Sequence, residues 1–345
     1  MDERKSDFIK NIAKEFAKEA TPYAIVMSVY KKMFVRRVSN PLFVYSIDDY
    51  PELQRRSYQI KGNKGQKLQG YLYYYPTSKL DRLTIFVHGF GDGGHHNYLD
   101  VINYLASKGL CIFSYDATGN DESEGRSING FPQGVIDLDT IINFVKEQPE
   151  FKKLPLSLVG HSWGGYCVSA ILNKHPEIKN VVELSGFNKA SDLILAHGRD
   201  FSGAEADKFI PNVENYDRFL FGDWADLTAV DGFRNTSANI MIVHSEDDTT
   251  VPITVGYDIY YQEFKNNPRF TFIKYKDKGH GTIYNTLEGK KYIESIRSKY
   301  KEYCKKENIT EEDKRCYVRD NIDRNYWCNC LDEELMNQVV EILKK

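Results

Sequence analysis

Gly160-His161-Ser162-Trp163-Gly164 sets one serine between two glycines, the arrangement an exposed nucleophile needs. A serine hydroxyl attacks poorly unless a base takes its proton. To present that hydroxyl the chain must turn sharply from a strand into a helix, and flanking side chains would clash in such a turn. An apolar run, Leu156 to Gly160, precedes the motif and a helical pattern follows it, which lifts it above a chance Gly-Ser turn. Lys278-Gly279-His280-Gly281 supplies a base: a histidine between glycines can bring its ring to the serine. A third group must orient that ring. His244-Ser245-Glu246-Asp247-Asp248-Thr249-Thr250-Val251-Pro252 offers three adjacent acids, and Glu183, after a central strand, is a weaker candidate.

Other candidates read as structural. His88-Gly89-Phe90-Gly91 closes an early apolar strand, where His88 is expected to be satisfied by backbone. His95 and His96 suit a helix cap or the mouth of a pocket; with no cysteine or carboxylate at metal spacing they do not imply zinc. Cys304, Cys316, Cys328 and Cys330 match no common zinc pattern and read as ordinary thiols, and Cys111 and Cys167 fall where burial is expected. The chemistry requires no metal or organic cofactor.

Positioning these groups takes strands and helices in alternation. Ser57 to Lys61 and Leu68 to Tyr75 flank the turn-like Gly62-Asn63-Lys64-Gly65 and predict a hairpin. Leu83 to His88, Leu110 to Tyr115, Leu156 to Gly160, Val181 to Leu184, Ile240 to Val243 and Phe270 to Tyr275 are further predicted strands. Between the earlier ones lie helices near Tyr98 to Ser107, Val135 to Glu147 and Trp163 to Lys174. Repeated β-α units imply an α/β protein with a mostly parallel sheet and helices on both faces. Ahead of these, Ile9, Ile12, Ala13, Phe16 and Ala20 recur at helical spacing, and Thr21-Pro22 starts a second helix running to about Arg37, stopped by Asn40-Pro41. Residues 1–45 therefore read as a helical extension on a body of residues 46–345. That body carries an insertion at about 188–234 and a charged helical insertion at about 282–330. Leu331 to Leu343 reads as a closing amphipathic helix.

The 345 residues carry a formal net charge of −3, which gives no general attraction for nucleic acid or an anionic membrane. Met1-Asp2-Glu3-Arg4-Lys5 is not followed by the apolar stretch of a signal peptide, and Ala24 to Met27 is too short to span a bilayer, so a cytoplasmic protein is expected. Acids at Asp7, Glu15 and Glu19 interrupt the basic face of the first helix, so the N-terminal helices are expected to dock on protein rather than membrane.

Taken in chain order, these motifs resemble the α/β-hydrolase superfamily, in the group of serine aminopeptidase-like and monoacylglycerol lipase-like hydrolases. Tyr115-Asp116-Ala117-Thr118-Gly119 with Ser123-Glu124-Gly125 resembles the group's loop after the fourth strand, and the likeness covers about Gln59 to Gly186 and Asn239 to Gly281. The resemblance implies a nucleophile–acid–base order, Ser162, Asp248, His280. Asp248 is chosen over its neighbours because the group's acid stands four residues before a proline. It also implies an oxyanion hole from the backbone N–H groups of Phe90 and Trp163.

The implied activity is hydrolysis of an ester or amide of a small acyl substrate through an acyl-enzyme. An aminopeptidase-like serine peptidase is one alternative, with the acidic stretch Asp192 to Asp231 able to hold a free amino end. A non-catalytic hydrolase-like binding protein is another. The 188–234 insertion is expected to form a cap, with Phe187, Leu193, Ile194, Leu195, Phe209, Phe219, Leu220, Phe221 and Trp224 lining an acyl pocket or packing the cap onto the core.

Overall fold

Short apolar runs bounded by turns become the central strands, whose two faces are both covered. The computed structural model describes residues 22–91 and 93–345. Its strands are β1 (Gln54–Lys61), β2 (Lys67–Tyr74), β3 (Leu83–Val87), β4 (Ile112–Tyr115), β5 (Leu156–His161), β6 (Asn180–Leu184), β7 (Asn239–Ser245) and β8 (Phe270–Tyr275). They form one sheet in the order β1-β2-β4-β3-β5-β6-β7-β8. The β1–β2 and β2–β4 pairs are antiparallel, and every other pair is parallel. The β1–β2 hairpin turns through Gly62 to Gly65, where Gly65 takes φ 84°, a left-handed value that costs glycine little.

Helices follow as α1 (22–33), α2 (Leu99–Ser107), α3 (Phe131–Glu147), α4 (Trp163–Ala170), α5 (Ala190–Ser202), α6 (Ile210–Phe221), α7 (Ala229–Asn235), α8 (Tyr257–Phe264), α9 (Leu287–Tyr303), α10 (Glu311–Asn321), α11 (Arg324–Trp327) and α12 (Glu333–Lys344). Strand side chains alternate between two apolar layers, as period two demands. Ile85, Val87, Leu158 and Ile240 join a layer with α1, α3, α4 and α8, while Phe86, Val159 and Met241 join one with α2, α9 and α12. The α12 stripe of Leu335, Met336, Val339 and Leu343 is buried, and Asp332 caps the helix by accepting from the Glu334 and Leu335 N–H groups. Truncating one such leucine to alanine costs about 2–5 kcal/mol.

Three boundaries depart from the sequence reading. α3 starts at Phe131 rather than Val135, because Pro132 already has the φ of a first turn and lacks an N–H that would go unbonded there. The helix after Ser162 ends at Ala170, and Ile171–Asn173 tightens into a 3-10 turn. α1 stops at residue 33 instead of continuing to Arg37. Beyond it the chain is pulled extended: Val35 pairs with Ser127, Arg37 pairs with Asn120, and the Arg36 guanidinium donates to the Ser123 and Gly125 carbonyls at 2.9 Å each. Val26, Tyr30 and Phe34 are buried against the body. The predicted helix from Ile9 to Ala20 lies outside the described residues. Among those residues, no helix is long and apolar enough to cross a membrane.

Candidate active site

Ser162 sits at the turn between β5 and α4 with φ 57° and ψ −119°. A non-glycine residue holds such a backbone only where its surroundings enforce it, at a cost of about 1–3 kcal/mol. Here the Ser162 N–H donates to the Leu184 carbonyl at 2.8 Å, anchoring the turn to β6. The two motif glycines are required sterically. A Cβ on Gly160 would overlap the Gly164 carbonyl, and one on Gly164 would overlap the Val87 carbonyl.

The loop after β8 brings His280 to this turn. His280 Nε2 lies 2.8 Å from Ser162 Oγ, and His280 Nδ1 lies 2.7 Å from Asp248 Oδ2. The other carboxylate oxygen of Asp248 accepts from the Thr250 and Val251 N–H groups at 2.9 and 2.8 Å. Burial raises the Asp248 pKa, but the His280 bond, its charge and these N–H donors outweigh it and hold the acid below its ordinary value. An ionised Asp248 makes Nδ1 the protonated ring nitrogen and leaves Nε2 to accept from the serine.

The other acids go elsewhere. Asp247 accepts from Ser245 Oγ, the Gly279 N–H and Lys290 Nζ, so it shapes the His280 loop from behind. Glu246 pairs with Lys274 at the surface. Glu183 is buried and accepts from Ser169 Oγ at 2.7 Å, with burial pushing it up to about 8.

Phe90 and Trp163 flank the serine. Trp163 opens α4, where a first-turn N–H has no intrahelical acceptor. Gly89, just before Phe90, passes so close that a Cβ there would lie 3.3 Å from Ser162 Cβ. His88 has the backbone partners expected of it: Nδ1 donates to the Gly89 carbonyl at 2.7 Å, and Nε2 accepts from the Ala117 N–H at 2.9 Å.

His95 and His96 differ from expectation, since the fold brings a carboxylate, Asp116, beside them. Donor atoms of the three fall within 4.8 Å of one another. Those atoms are already engaged: His95 Nδ1 with Asp116 Oδ1 at 2.6 Å, His95 Nε2 with Tyr73 Oη at 2.7 Å, and His96 Nε2 with the Arg55 guanidinium at 3.1 Å. A cation alongside Arg55 would meet like charge, so the cluster reads as a buried structural network. Asp116 also accepts from the Glu122 N–H, and Ser123 Oγ donates to the Asp116 carbonyl, which folds the 115–125 loop.

Ser162 and His280 lie on the wall of a cleft of about 370 Å³. Among the described residues, none between 188 and 234 lines it. Its walls come instead from Phe43 and Tyr45 ahead of the sheet, and from Ile293, Glu294, Arg297 and Trp327 of the 286–330 excursion. Local sequence carried no signal for these residues, because 165 positions separate Trp327 from Ser162 along the chain.

The family model for serine aminopeptidase, S33, matches residues 78–215. Sheet order, elbow and this match agree. The chain has the α/β-hydrolase fold. It is 30% identical to the monoglyceride lipase of Rattus norvegicus over 127 residues, which is 36% of this chain and 39% of the lipase. Over 125 residues it is 26% identical to the Homo sapiens monoglyceride lipase, again 36% and 39%. The chain thus spans about two-fifths of the length of these relatives. An esterase of Pyrococcus furiosus shares the fold over 90% of this chain and 98% of its own, with TM-score 0.58 and 16% identity.

Proposed function

We propose that this α/β-hydrolase cleaves an ester of a small acyl group through Ser162, His280 and Asp248, by way of an acyl-enzyme. The observation that carries the reading is the unbroken line from Asp248 Oδ2 through both His280 nitrogens to Ser162 Oγ, opening into the cleft. Ser162 Oγ attacks the acyl carbon while its proton passes to His280 Nε2. The imidazolium, held by Asp248, then returns that proton to the departing alkoxide. Water repeats the sequence from the other side: it loses a proton to His280, attacks the acyl carbon, and frees the acid as Ser162 recovers its hydrogen. The Phe90 and Trp163 N–H groups face the oxyanion that forms in both halves. The substrate is a small acyl compound, and the monoglyceride lipases set the ester reading ahead of the amide one.

The serine aminopeptidase match favours a second reading, cleavage of short peptides. That activity needs acids at the site to hold a free amino end. Four of the acids expected for this task pair with neighbouring cations instead: Asp207 with Arg199, Glu214 with Lys189, Asp226 with Arg218 and Asp231 with Arg234. None of them lines the cleft, and this ranks the peptidase second.

The test is Ser162→Ala in purified protein, assayed on p-nitrophenyl esters of graded length and on aminoacyl anilides, with a fluorophosphonate probe. Turnover should fall by on the order of 10³-fold or more and labelling should vanish. Near-normal turnover in the variant would sink the assignment, and faster anilide than ester cleavage by the unaltered protein would promote the peptidase reading.

A further inference from the structure

Three stretches far apart in sequence must agree in position for this site to form: the Gly89-Phe90 turn, the Ser162 elbow and the His280 loop. Two side chains outside the triad touch all three. The Gly89 N–H donates to Tyr98 Oη at 3.1 Å. Tyr98 Oη lies 2.9 Å from His161 Nδ1, and His161 Nε2 lies 3.0 Å from the carbonyl oxygen of His280. A carbonyl only accepts, so His161 Nε2 carries a proton. Burial, then the neighbouring His280 ring, pushes the His161 pKa down to about 3, so the ring is neutral and Nδ1 is an acceptor. Tyr98 therefore donates to His161 and keeps a lone pair for Gly89. Every proton in the chain of bonds has one place.

The rings are also packed into that arrangement. Tyr98 and His161 lie 5.6 Å apart, His161 and His280 lie 4.8 Å apart, and Tyr284 closes on Tyr98 and His161 at 6.2 and 5.6 Å. Neither Tyr98 nor His161 bonds a triad side-chain atom. His161 grips His280 by its main chain, where the Ile283 N–H adds a longer contact at 3.4 Å, and leaves the imidazole to Asp248 and Ser162.

We infer that Tyr98 and His161 are positioning residues that clamp the oxyanion turn, the elbow and the base loop into one register. Ser162 Oγ, His280 Nε2 and the Phe90 N–H are thereby aimed at a single acyl carbonyl. The inference rests on Ser162 being the nucleophile. It predicts that hydrogen bonding, and not ring volume, is what the two positions supply. Tyr98→Phe keeps the ring and strands both the Gly89 N–H and His161 Nδ1. His161→Phe removes both partners, whereas His161→Gln retains one donor and one acceptor.

The experiment measures kcat and KM on p-nitrophenyl butyrate, with active sites counted by fluorophosphonate titration and Tm recorded for each variant. Tyr98→Phe and His161→Phe should lose about 10- to 100-fold in kcat per titrated site with KM little changed, since small misplacements of reacting groups cost that much. His161→Gln should recover most of the loss. Unchanged kcat per titrated site in Tyr98→Phe and His161→Phe, with only Tm lowered, would reduce the pair to core packing and overturn the inference. So would a His161→Gln as slow as His161→Phe, and that comparison stands even where Tyr98→Phe fails to fold. An active Ser162→Ala would instead remove the nucleophile reading itself. An inactive Ser162→Ala beside unaffected clamp variants would remove only the clamp.

Discussion

Two helical excursions leave the sheet of this α/β-hydrolase fold, and they bury different things. The one between β6 and β7 carries the aromatic and aliphatic residues expected to cap the active site. Phe187 stacks on Tyr166 at 4.8 Å, Leu193 and Ile194 join the main core, and Phe219 stays exposed. Ile194, Leu195 and Phe209 face Ile25, Val29 and Met33 of α1 around a separate, largely apolar cavity of about 510 Å³. The other excursion, residues 286–330, looks by composition like a solvated appendage. Its ends are pinned together by the Asn285–Leu331 bridge and the Thr286 N–H to Cys330 carbonyl bond. Between those pins it supplies Ile293, Glu294, Arg297 and Trp327 to the cleft. Apolar content thus says that a segment will be buried, not against what. A charged segment lines a site when its few inward residues are held there by specific ties. Arg324 provides one, donating to both Asp49 oxygens at 2.9 and 2.6 Å and to the Val44 carbonyl, beside the cleft residues Phe43 and Tyr45.

The largest effect that would sharpen this contrast concerns which loop completes the chemistry. If the cleft walled by 286–330 is the reaction site, Asp248→Asn should lower kcat by about 10⁴-fold, because the imidazole loses its tautomer and its counter-charge. Asp247→Asn should cost far less, and Glu183→Gln should act on stability rather than turnover. The opposite ranking in steady-state kinetics would move the acid, and with it the site, toward the β6–β7 side.

A smaller effect separates the excursions directly. Glu294 is exposed on the cleft wall, whereas Leu195 is buried beside the second cavity. Glu294→Trp should change the ratio of kcat/KM between short and long p-nitrophenyl esters by about tenfold, the scale on which a pocket wall discriminates. Leu195→Trp should leave that ratio near its original value. A selectivity change in Leu195→Trp alone would restore the cap reading of residues 188–234.

The smallest effect is in the pH dependence of stability, where the two excursions should have opposite signs. On α6, burial pushes Asp217 up from 3.8 to about 7. The unfolded chain releases this proton near its ordinary pKa while the folded chain keeps it, so the contribution is fully present below about 3.8 and is lost as pH rises through about 7. Asp217→Asn should therefore gain Tm relative to the unaltered protein above about pH 7. Asp49 and Asp332, which tie down the other excursion, are held below their ordinary value by Arg324 and Lys278 against the opposing effect of burial. Their contribution is present above about pH 4 and fades as pH falls through the lowered pKa. Asp49→Asn should lose Tm at neutral pH and match the unaltered protein in acid. Calorimetric scans across pH check both signs, and parallel curves for the two variants would break the contrast.

Much of this molecule was legible in the order of its residues because the signals are local. The strand runs, the hairpin around Gly65, the α12 stripe and the elbow glycines each follow from the period or sterics of neighbouring residues. Ser162 and His280 stood out as candidates for the same reason, each in a short motif at a strand end, whereas only resemblance to the group's acid loop chose Asp248 over Glu246 and Asp247. What lay beyond reach depends on pairs distant in the chain. The stop of α1 at residue 33 is imposed by strand-like pairing with residues 120 and 127, which outweighs its helical pattern. Asp116 meets His95 across a strand-to-loop crossing, so no metal-like spacing in sequence announced the cluster. Tyr98 reaches His161, and Trp327 reaches the cleft, because the parallel strands β3 to β8 bring their C-terminal ends to one edge of the sheet. Periodicity and turn chemistry are set by adjacent residues and survive reading one residue at a time. The partner of a buried face or a stranded donor is chosen by packing in three dimensions, and in this chain only the tertiary structure made that choice.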